Sequence, residues 1–246
     1  MGWNAAASSV EALRLRCVDN ITIDISRSKI TTAILSTRNI AIVINNRRGR
    51  MSTKKEQTRE RMLDAASRSF RSHGYAGVGV DAIAKAAGVT SGAFYAHFGS
   101  KDGAFRDALE LGLDEVIEAI PQYQSRRGAD WVRAFADYYL GKAHRDDLAC
   151  GCAMTTLSPE VARSGPDVKA LFETKMKKIA GLVADGLAGG DEEQRLARAW
   201  SMLAILIGGL TLVRSMKSNR LAEQIAGSIR QAAVNAAAPF RAGEDN

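Results

Sequence analysis

Three short segments with an apolar stripe, separated by glycines, constrain the fold of this chain more than any other feature. They span Thr58–His73, Val80–Ala87 and Ser91–Phe98. In the first segment Met62, Ala66 and Phe70 recur at every fourth position, which is the spacing of one face of an α-helix. Gly88 follows the second segment and is suited to a left-handed turn. The spacing therefore predicts three short helices joined by tight turns.

The third segment completes this arrangement. Thr90 or Ser91 is expected to cap it, because a hydroxyl accepts hydrogen bonds from free backbone N–H groups at a helix start. Phe94 and Phe98 share one face at i, i+4 and can pack on the two preceding helices. The second and third helices then form a helix-turn-helix whose second helix is available for a DNA major groove.

The stretch Gly74–Asp102 reads GYAGVGVDAIAKAAGVTSGAFYAHFGSKD and resembles the DNA-binding signature of the tetracycline-repressor (TetR) family. The resemblance covers Thr58 to Asp102 and implies a homodimeric transcriptional regulator, usually a repressor. In that family the third helix binds a palindromic operator in double-stranded DNA, and a small molecule bound in the C-terminal domain releases it. Carried over by position, the DNA-binding residues are Thr90, Ser91, Gly92, Ala93, Tyr95, His97 and Lys101.

Side-chain chemistry agrees with these positions. The Thr90 and Ser91 hydroxyls can cap the helix or bind a phosphate, and Gly92 lets the backbone approach DNA closely. Tyr95 can also reach a phosphate, which sets register without specifying sequence. Two departures from the family pattern stand out: Ser91 replaces a common Lys or Arg, and Gly79 replaces a common Ser or Thr before the second helix.

The rest of the chain is expected to be helical, so the predicted fold is all-α with a helical ligand-binding and dimerisation domain after the helix-turn-helix. The predicted helices are Lys101–Ile120, Asp130–His144, Pro166–Ala188, Asp191–Ser215 and Arg220–Ala237. Pro121 should end the first of these helices, because proline lacks the N–H that continues a helix. The last two helices are expected to form the dimer interface as a four-helix bundle across a two-fold axis.

Aromatic and sulfur-containing side chains in this region predict an apolar ligand pocket. The candidates are Trp131, Phe135, Tyr139, Cys152, Phe172, Met176 and Trp200. Each of them could equally be an ordinary core residue. Cys150 and Cys152, in the sequence CGC, leave open a thiol-based redox or electrophile sensor that acts through the same DNA-binding domain, because a thiolate of low pKa reacts selectively.

Charge and composition suggest three regions: 1–50, 51–101 and 102–246. Their net charges are +5, +4 and −2, so the basic charge lies on the N-terminal side. Residues 1–50 hold 8 of the 16 isoleucines and lack a core-forming pattern, whereas MSTKKEQTRERML from Met51 resembles a natural start. The first region is expected to be either translated upstream sequence or a mobile basic arm that adds non-specific DNA affinity.

Several classes of function are not expected. The three histidines and three cysteines show no metal-ligand spacing, no phosphate-binding loop occurs, and no nucleophile–base set points to an enzyme, a Cys-dependent one included. No cofactor is therefore predicted. The longest apolar run, 199–213, has 15 residues where a membrane span needs about 20. It predicts a buried helix in a cytoplasmic protein without a membrane partner.

Overall fold

A computed structural model describes residues 53–239, and the predicted N-terminal extension, 1–50, lies outside them. Within residues 53–239 every regular element is helical, which confirms the all-α prediction. The helices are α1 Lys54–His73, α2 Val80–Ala86, α3 Ser91–Phe98, α4 Lys101–Arg127, α5 Trp131–Tyr139, α6 Lys142–Asp146, α7 Ala153–Thr156, α8 Ser158–Arg163, α9 Pro166–Asp185, α10 Glu192–Arg214 and α11 Asn219–Ala237.

Contacts divide the chain between Arg61 and Met62, so residues 53–61 and 62–239 are described separately. In the first, α1 begins four residues before the predicted Thr58, because Thr53 and Glu56 cap it reciprocally. The Thr53 N–H donates to Glu56 Oε2 at 2.7 Å, and the Glu56 N–H donates to Thr53 Oγ1 at 3.2 Å. Lys54 is therefore already helical.

The apolar residues predicted to face inward in the helix-turn-helix are buried within residues 62–239. Met62, Ala66 and Phe70 of α1 are fully buried, as is Phe94 of α3. Gly88 has a φ of +67°, so the turn between α2 and α3 uses the left-handed conformation that glycine adopts without a steric penalty. The predicted bounds of α3 are confirmed.

The prediction that a helix ends before Pro121 is wrong, because α4 continues to Arg127. Pro121 removes one backbone hydrogen bond, but Ile117 and Ile120 keep the helix buried on one side. Beyond the proline, the Gln124 side chain donates to the Leu182 carbonyl at 2.7 Å and ties this last part of α4 to α9. These tertiary contacts of α4 outweigh the free-energy cost of the backbone hydrogen bond lost at Pro121.

The predicted helix Asp130–His144 is divided in two. The chain leaves the helix at Leu140, and Gly141 precedes the short α6. His144 Nδ1 lies 2.7 Å from the Tyr139 carbonyl oxygen, so the imidazole satisfies a carbonyl at the end of α5. The short helix α8, Ser158–Arg163, lies in a stretch where the sequence predicted no helix.

Helices α9, α10 and α11 pack side by side, and α10 packs on both of the others. Gly209 of α10 lets α11 approach closely, because an added Cβ would overlap Ile229. Among residues 53–239, α10 is the one helix long and apolar enough to cross a membrane, and 44% of its most apolar window is buried. Core helices of globular proteins share that composition.

Candidate nucleic-acid interface

Helix α3 presents one side to the interior and the other to solvent. Phe94 and Phe98 point inward, and their rings lie 5.1 Å apart between centroids. Tyr95 is 51% exposed and Gly92 is exposed as well. Helix α3 therefore has a solvent-exposed side that includes Gly92 and Tyr95.

The two hydroxyls at the start of α3 have different partners. Thr90 caps the helix, and its Oγ1 accepts a hydrogen bond from the Ala93 N–H at 3.2 Å. Ser91 Oγ instead donates to a carboxylate oxygen of Asp81, on α2, at 2.5 Å. The single Ser91 proton is therefore engaged within the protein, in contrast to the predicted contact from Ser91 to a phosphate.

Lys101 begins α4 and is held by an aromatic ring. Its Nζ lies 4.3 Å from the centre of the Tyr75 ring, a cation–π contact. The Tyr75 hydroxyl donates to Asp102, and this hydrogen bond, followed by burial, raises the pKa of Tyr75 to about 12. Tyr75 therefore stays neutral and acts as a platform for the Lys101 ammonium.

The remaining predicted contact residues lie along the same short segment. Ala93 and His97 are half-buried. At Gly92, an added Cβ would lie 3.8 Å from Thr90 Oγ1, so the protein itself leaves room there. The absence of a side chain at Gly92 therefore leaves the backbone open on the outer side of α3.

Asp81 and Tyr75 are functional candidates that the sequence analysis missed. Asp81 is an exposed acidic residue in the first turn of α2, ten positions before Ser91. The turn joins the C-terminal end of α2 to the start of α3, so the spacing gave no signal for a contact between the first turn of α2 and Ser91. Tyr75 lies two residues after the end of α1, where no helical period predicts its direction.

The predicted ligand-pocket residues do not form one set. Trp131, Phe135 and Tyr139 of α5 are all buried. The Trp131 indole N–H donates to the Gly186 carbonyl at 2.9 Å, and the Tyr139 hydroxyl lies 2.8 Å from Thr155 Oγ1. These three residues belong to one continuous core, and a pocket among them stays a prediction.

The other aromatic and methionine candidates differ in exposure. Met176 is buried on α9, and Phe172 is half-buried. Trp200 is 38% exposed, whereas its neighbours Met202 and Leu203 face the interior. The place of Trp200 in a ligand pocket stays a prediction.

An open groove of about 560 Å³ lies between α4 and α9. Charged and polar side chains dominate its lining, and none of the predicted pocket residues belongs to it. Its lining is Arg106, Glu110, Asp167, Ala170, Leu171, Thr174 and Lys175. Lys175 bridges α9 to Glu110 and Asp114 of α4 at 3.1 and 2.7 Å, so the groove is closed at one side by ion pairs.

Cys152 lies beside the hydroxyl of the buried Tyr139. Burial raises the pKa of the Cys152 thiol, and it raises the pKa of Tyr139 well above its ordinary value. A hydrogen bond with Tyr139 and the positive charge of Arg71 offset part of the effect on Cys152. A thiol with a raised pKa is mostly protonated at neutral pH, which opposes the reactive thiolate that a sensor needs.

No group of three or more potential metal ligands occurs among residues 53–239. The side chains on and beside α3 supply the hydroxyls of Thr90 and Tyr95, the His97 imidazole and the Lys101 ammonium. This set suits hydrogen bonding to a polyanion and its bases.

Comparison with known proteins agrees with this geometry. Residues 62–108 match the family model described as bacterial regulatory proteins, tetR family. The transcriptional regulator AcrR of Shigella flexneri is 40% identical over 75 residues, which are 30% of this chain and 35% of AcrR. LmrA of Bacillus subtilis, also a transcriptional regulator, is 27% identical over 66% of this chain and 89% of LmrA.

The fold is similar beyond the matched domain. The crystal structure of E. coli NemR in its reduced form superposes with a TM-score of 0.61 and 21% identity, covering 71% of this chain and 96% of NemR. A TetR-family regulator from Agrobacterium tumefaciens gives a TM-score of 0.61 at 15% identity, covering 72% and 97%. Residues 62–108 therefore match the tetR family of bacterial regulatory proteins, and the fold of the chain is similar to that of these solved regulators.

Proposed function

We propose that this protein is a cytoplasmic, homodimeric repressor that binds a palindromic operator through α3 and is released by a small molecule. The observation that carries this proposal is the outward polar face of α3. Thr90, Gly92 and Tyr95 are exposed there while Phe94 and Phe98 anchor the helix. A helix anchored in this way can enter a major groove without losing its own packing.

Phosphate contacts are expected from both ends of this face. The Thr90 oxygen is used by the cap, so its proton is free to donate to a phosphate. The Tyr95 hydroxyl and the Lys101 ammonium add a neutral donor and a charged one. These contacts would position α3, and the bases would be contacted by the helix start between them.

Dimerisation is expected through α10 and α11. Leu196, Trp200 and Leu212 of α10 are 37%, 38% and 48% exposed, and Gly208 between them is exposed too. An exposed apolar stripe of this length on one helix suits a second copy of the same surface across a two-fold axis. Two α3 helices would then meet two half-sites about one DNA turn apart.

Control by a small molecule is proposed for the buried aromatic cluster of α5. Phe135 and Tyr139 are buried, with ring centres 5.7 Å apart, and Thr155 supplies a hydroxyl beside them. Apolar walls with few polar groups are typical of ligand sites. The E. coli relative NemR is named a transcriptional repressor, which supports repression by binding, with no catalytic step, as the activity here.

Fluorescence anisotropy with DNA from the region upstream of the gene tests the DNA-binding proposal. We expect a specific Kd of about 10 nM at physiological salt. Tyr95→Phe should weaken binding about tenfold by removing one hydrogen bond to a charged phosphate. Lys101→Gln should also weaken it and reduce the salt slope by about 0.9.

Leu148→Asp is the matched control, because Leu148 is an exposed apolar residue outside α3 and α10. Its operator affinity should equal that of the wild type. Wild-type affinity in both Tyr95→Phe and Lys101→Gln would contradict the proposed interface.

Analytical ultracentrifugation tests the dimer. Trp200→Asp should convert the protein to monomers at micromolar concentration and lower operator affinity, whereas Leu148→Asp should remain dimeric. A fully dimeric Trp200→Asp protein would refute the assigned interface.

Release from DNA tests the effector site. Aromatic and aliphatic compounds are titrated into the protein–operator complex, and an active compound is tested again on Tyr139→Phe, which keeps the ring and loses the hydroxyl. Weaker release with unchanged operator affinity would support the cluster as the site. Undiminished release in Tyr139→Phe and in Phe135→Leu would reject it.

A further inference from the structure

The hydrogen bond between Asp81 and Ser91 joins α2 and α3, the two helices of the helix-turn-helix, near their N-terminal ends. Asp81 is exposed in the first turn of α2, and Ser91 is the half-buried first residue of α3. Ser91 Oγ lies 2.5 Å from Asp81 Oδ1, a separation typical of a hydroxyl that donates to a carboxylate. The pair thus lies beside the outward face of α3, where DNA is proposed to bind.

A serine hydroxyl has one proton and two lone pairs. Asp81 accepts the proton of Ser91, so Ser91 is left with acceptor capacity alone. The exposed Asp81 carboxylate accepts hydrogen bonds without donating any. Together the two side chains present acceptors to the solvent and no donor.

Thr90, one residue earlier, has the opposite assignment. Its oxygen accepts from the Ala93 N–H, which leaves its proton free. The two adjacent hydroxyls therefore have different hydrogen-bonding roles: Thr90 offers a donor and Ser91 offers an acceptor. A phosphate, which has only acceptors, suits Thr90 and does not suit Ser91.

We propose that Asp81 and Ser91 form a sequence-specific contact that accepts a hydrogen bond from an exocyclic amino group in the major groove, cytosine N4 or adenine N6. This inference rests on the proposed function, in which α3 enters that groove. Cytosine N4 and adenine N6 are the amino donors that the major-groove edges of the bases present. Guanine O6 and N7 and thymine O4 are acceptors, and they would face the acceptors of the pair.

The same pair is expected to reduce non-specific binding. The phosphates repel a carboxylate at the DNA surface, and a hydrogen bond from a base amino group compensates for part of that cost. Juxtaposition of like charges against wrong sequences is a common source of specificity. Asp81 therefore contributes to discrimination both by accepting from the correct base and by disfavouring the others.

Base analogues that lack the amino group test the proposal. In a single operator half-site, each adenine is replaced in turn by purine and each cytosine by pyrimidin-2-one, and binding is measured by fluorescence anisotropy. For the wild type we expect one position at which the loss of the amino group weakens binding about tenfold. Asp81→Ala, which removes both acceptor oxygens, should lose most of that effect and bind non-specific DNA more tightly.

Ser91→Ala provides the second variant, because it removes the hydroxyl and leaves Asp81 in place. It should reduce the amino-group effect at the same position and leave all other positions unchanged. Circular dichroism and thermal unfolding confirm that each variant is folded before binding is compared.

The outcomes separate this inference from the function on which it rests. If Tyr95→Phe and Lys101→Gln weaken binding but Asp81→Ala keeps the wild-type response to every analogue, the contact assigned to the Asp81–Ser91 pair is wrong and the interface stands. The same holds if no analogue position affects the wild type. If Tyr95→Phe and Lys101→Gln have no effect either, the interface itself is wrong.

Discussion

Gly112 of α4 lies where three helices meet, and its replacement by alanine is expected to strain them. A Cβ at this position would lie 2.5 Å from the Cβ of Ala153, on α7, and 2.5 Å from Nη2 of Arg71, on α1. Arg71 has a side chain only 3% exposed and donates to Glu115 at 2.9 Å. Neither neighbour is a flexible, exposed chain end that can move aside freely.

Two opposing effects decide the outcome. In a helix interior, alanine is more favourable than glycine by about 0.8–1.0 kcal/mol. Forcing an extra methyl group into a well-packed site costs about 1–3 kcal/mol. We therefore expect Gly112→Ala to destabilise the protein by about 0–2 kcal/mol, with a weaker Arg71–Glu115 contact as part of that cost.

Gly181 of α9 is the matched control, because an added Cβ there would have no neighbour within 4 Å. Gly181→Ala should stabilise the protein by about 0.8–1.0 kcal/mol through helix propensity alone. Urea unfolding followed by circular dichroism, at one fixed protein concentration, measures both variants against the wild type. If Gly112→Ala stabilises the protein as much as Gly181→Ala does, the close approach of the three helices is refuted.

Three further predictions concern buried polar groups. Burial raises the pKa of Cys152, so iodoacetamide at pH 7.5 should modify it much more slowly in the native protein than in urea, as measured by peptide mass spectrometry; equal rates would favour the thiol-sensor hypothesis. Burial lowers the pKa of His144 in the folded state, so the unfolded state binds more protons below pH 6.5 and stability should fall from pH 7 to pH 5. His144→Gln should show a smaller fall, and an unchanged pH profile would contradict this. Arg198 is 3% exposed and donates to the carbonyls of Ala188, Gly189 and Ala237; Arg198→Ala should lower Tm by several degrees, corresponding to about 2–4 kcal/mol, whereas Arg195→Ala nearby should cost less than about 1 kcal/mol.

The helix-turn-helix was predictable because its signals are local. The i, i+4 spacing of Phe94 and Phe98 defines the buried side of α3, and Gly88 defines the turn before it. Tyr95 was singled out by the family resemblance, because helical spacing alone does not decide whether a tyrosine packs or faces solvent. It is exposed, and its contact with DNA stays a prediction.

The C-terminal half was less predictable, because helical spacing does not distinguish among a core, a pocket and a dimer surface. Trp200 and Trp131 are the same residue type on amphipathic helices, yet one is exposed and the other is buried. Pro121 shows the same limit, since the local rule against proline in a helix is outweighed by burial of the residues before it.

Sequence alone determined the helical class, the position of the helix-turn-helix and the residues on its outer face, because each depends on contacts within a few positions of the chain. Only the tertiary structure decided that Asp81 takes the proton of Ser91, that Tyr75 holds Lys101, and that Gly112 admits Arg71 between helices. These pairings join residues 10 to 41 positions apart. Hydrogen-bond polarity and close packing depend on where separate helices meet in space.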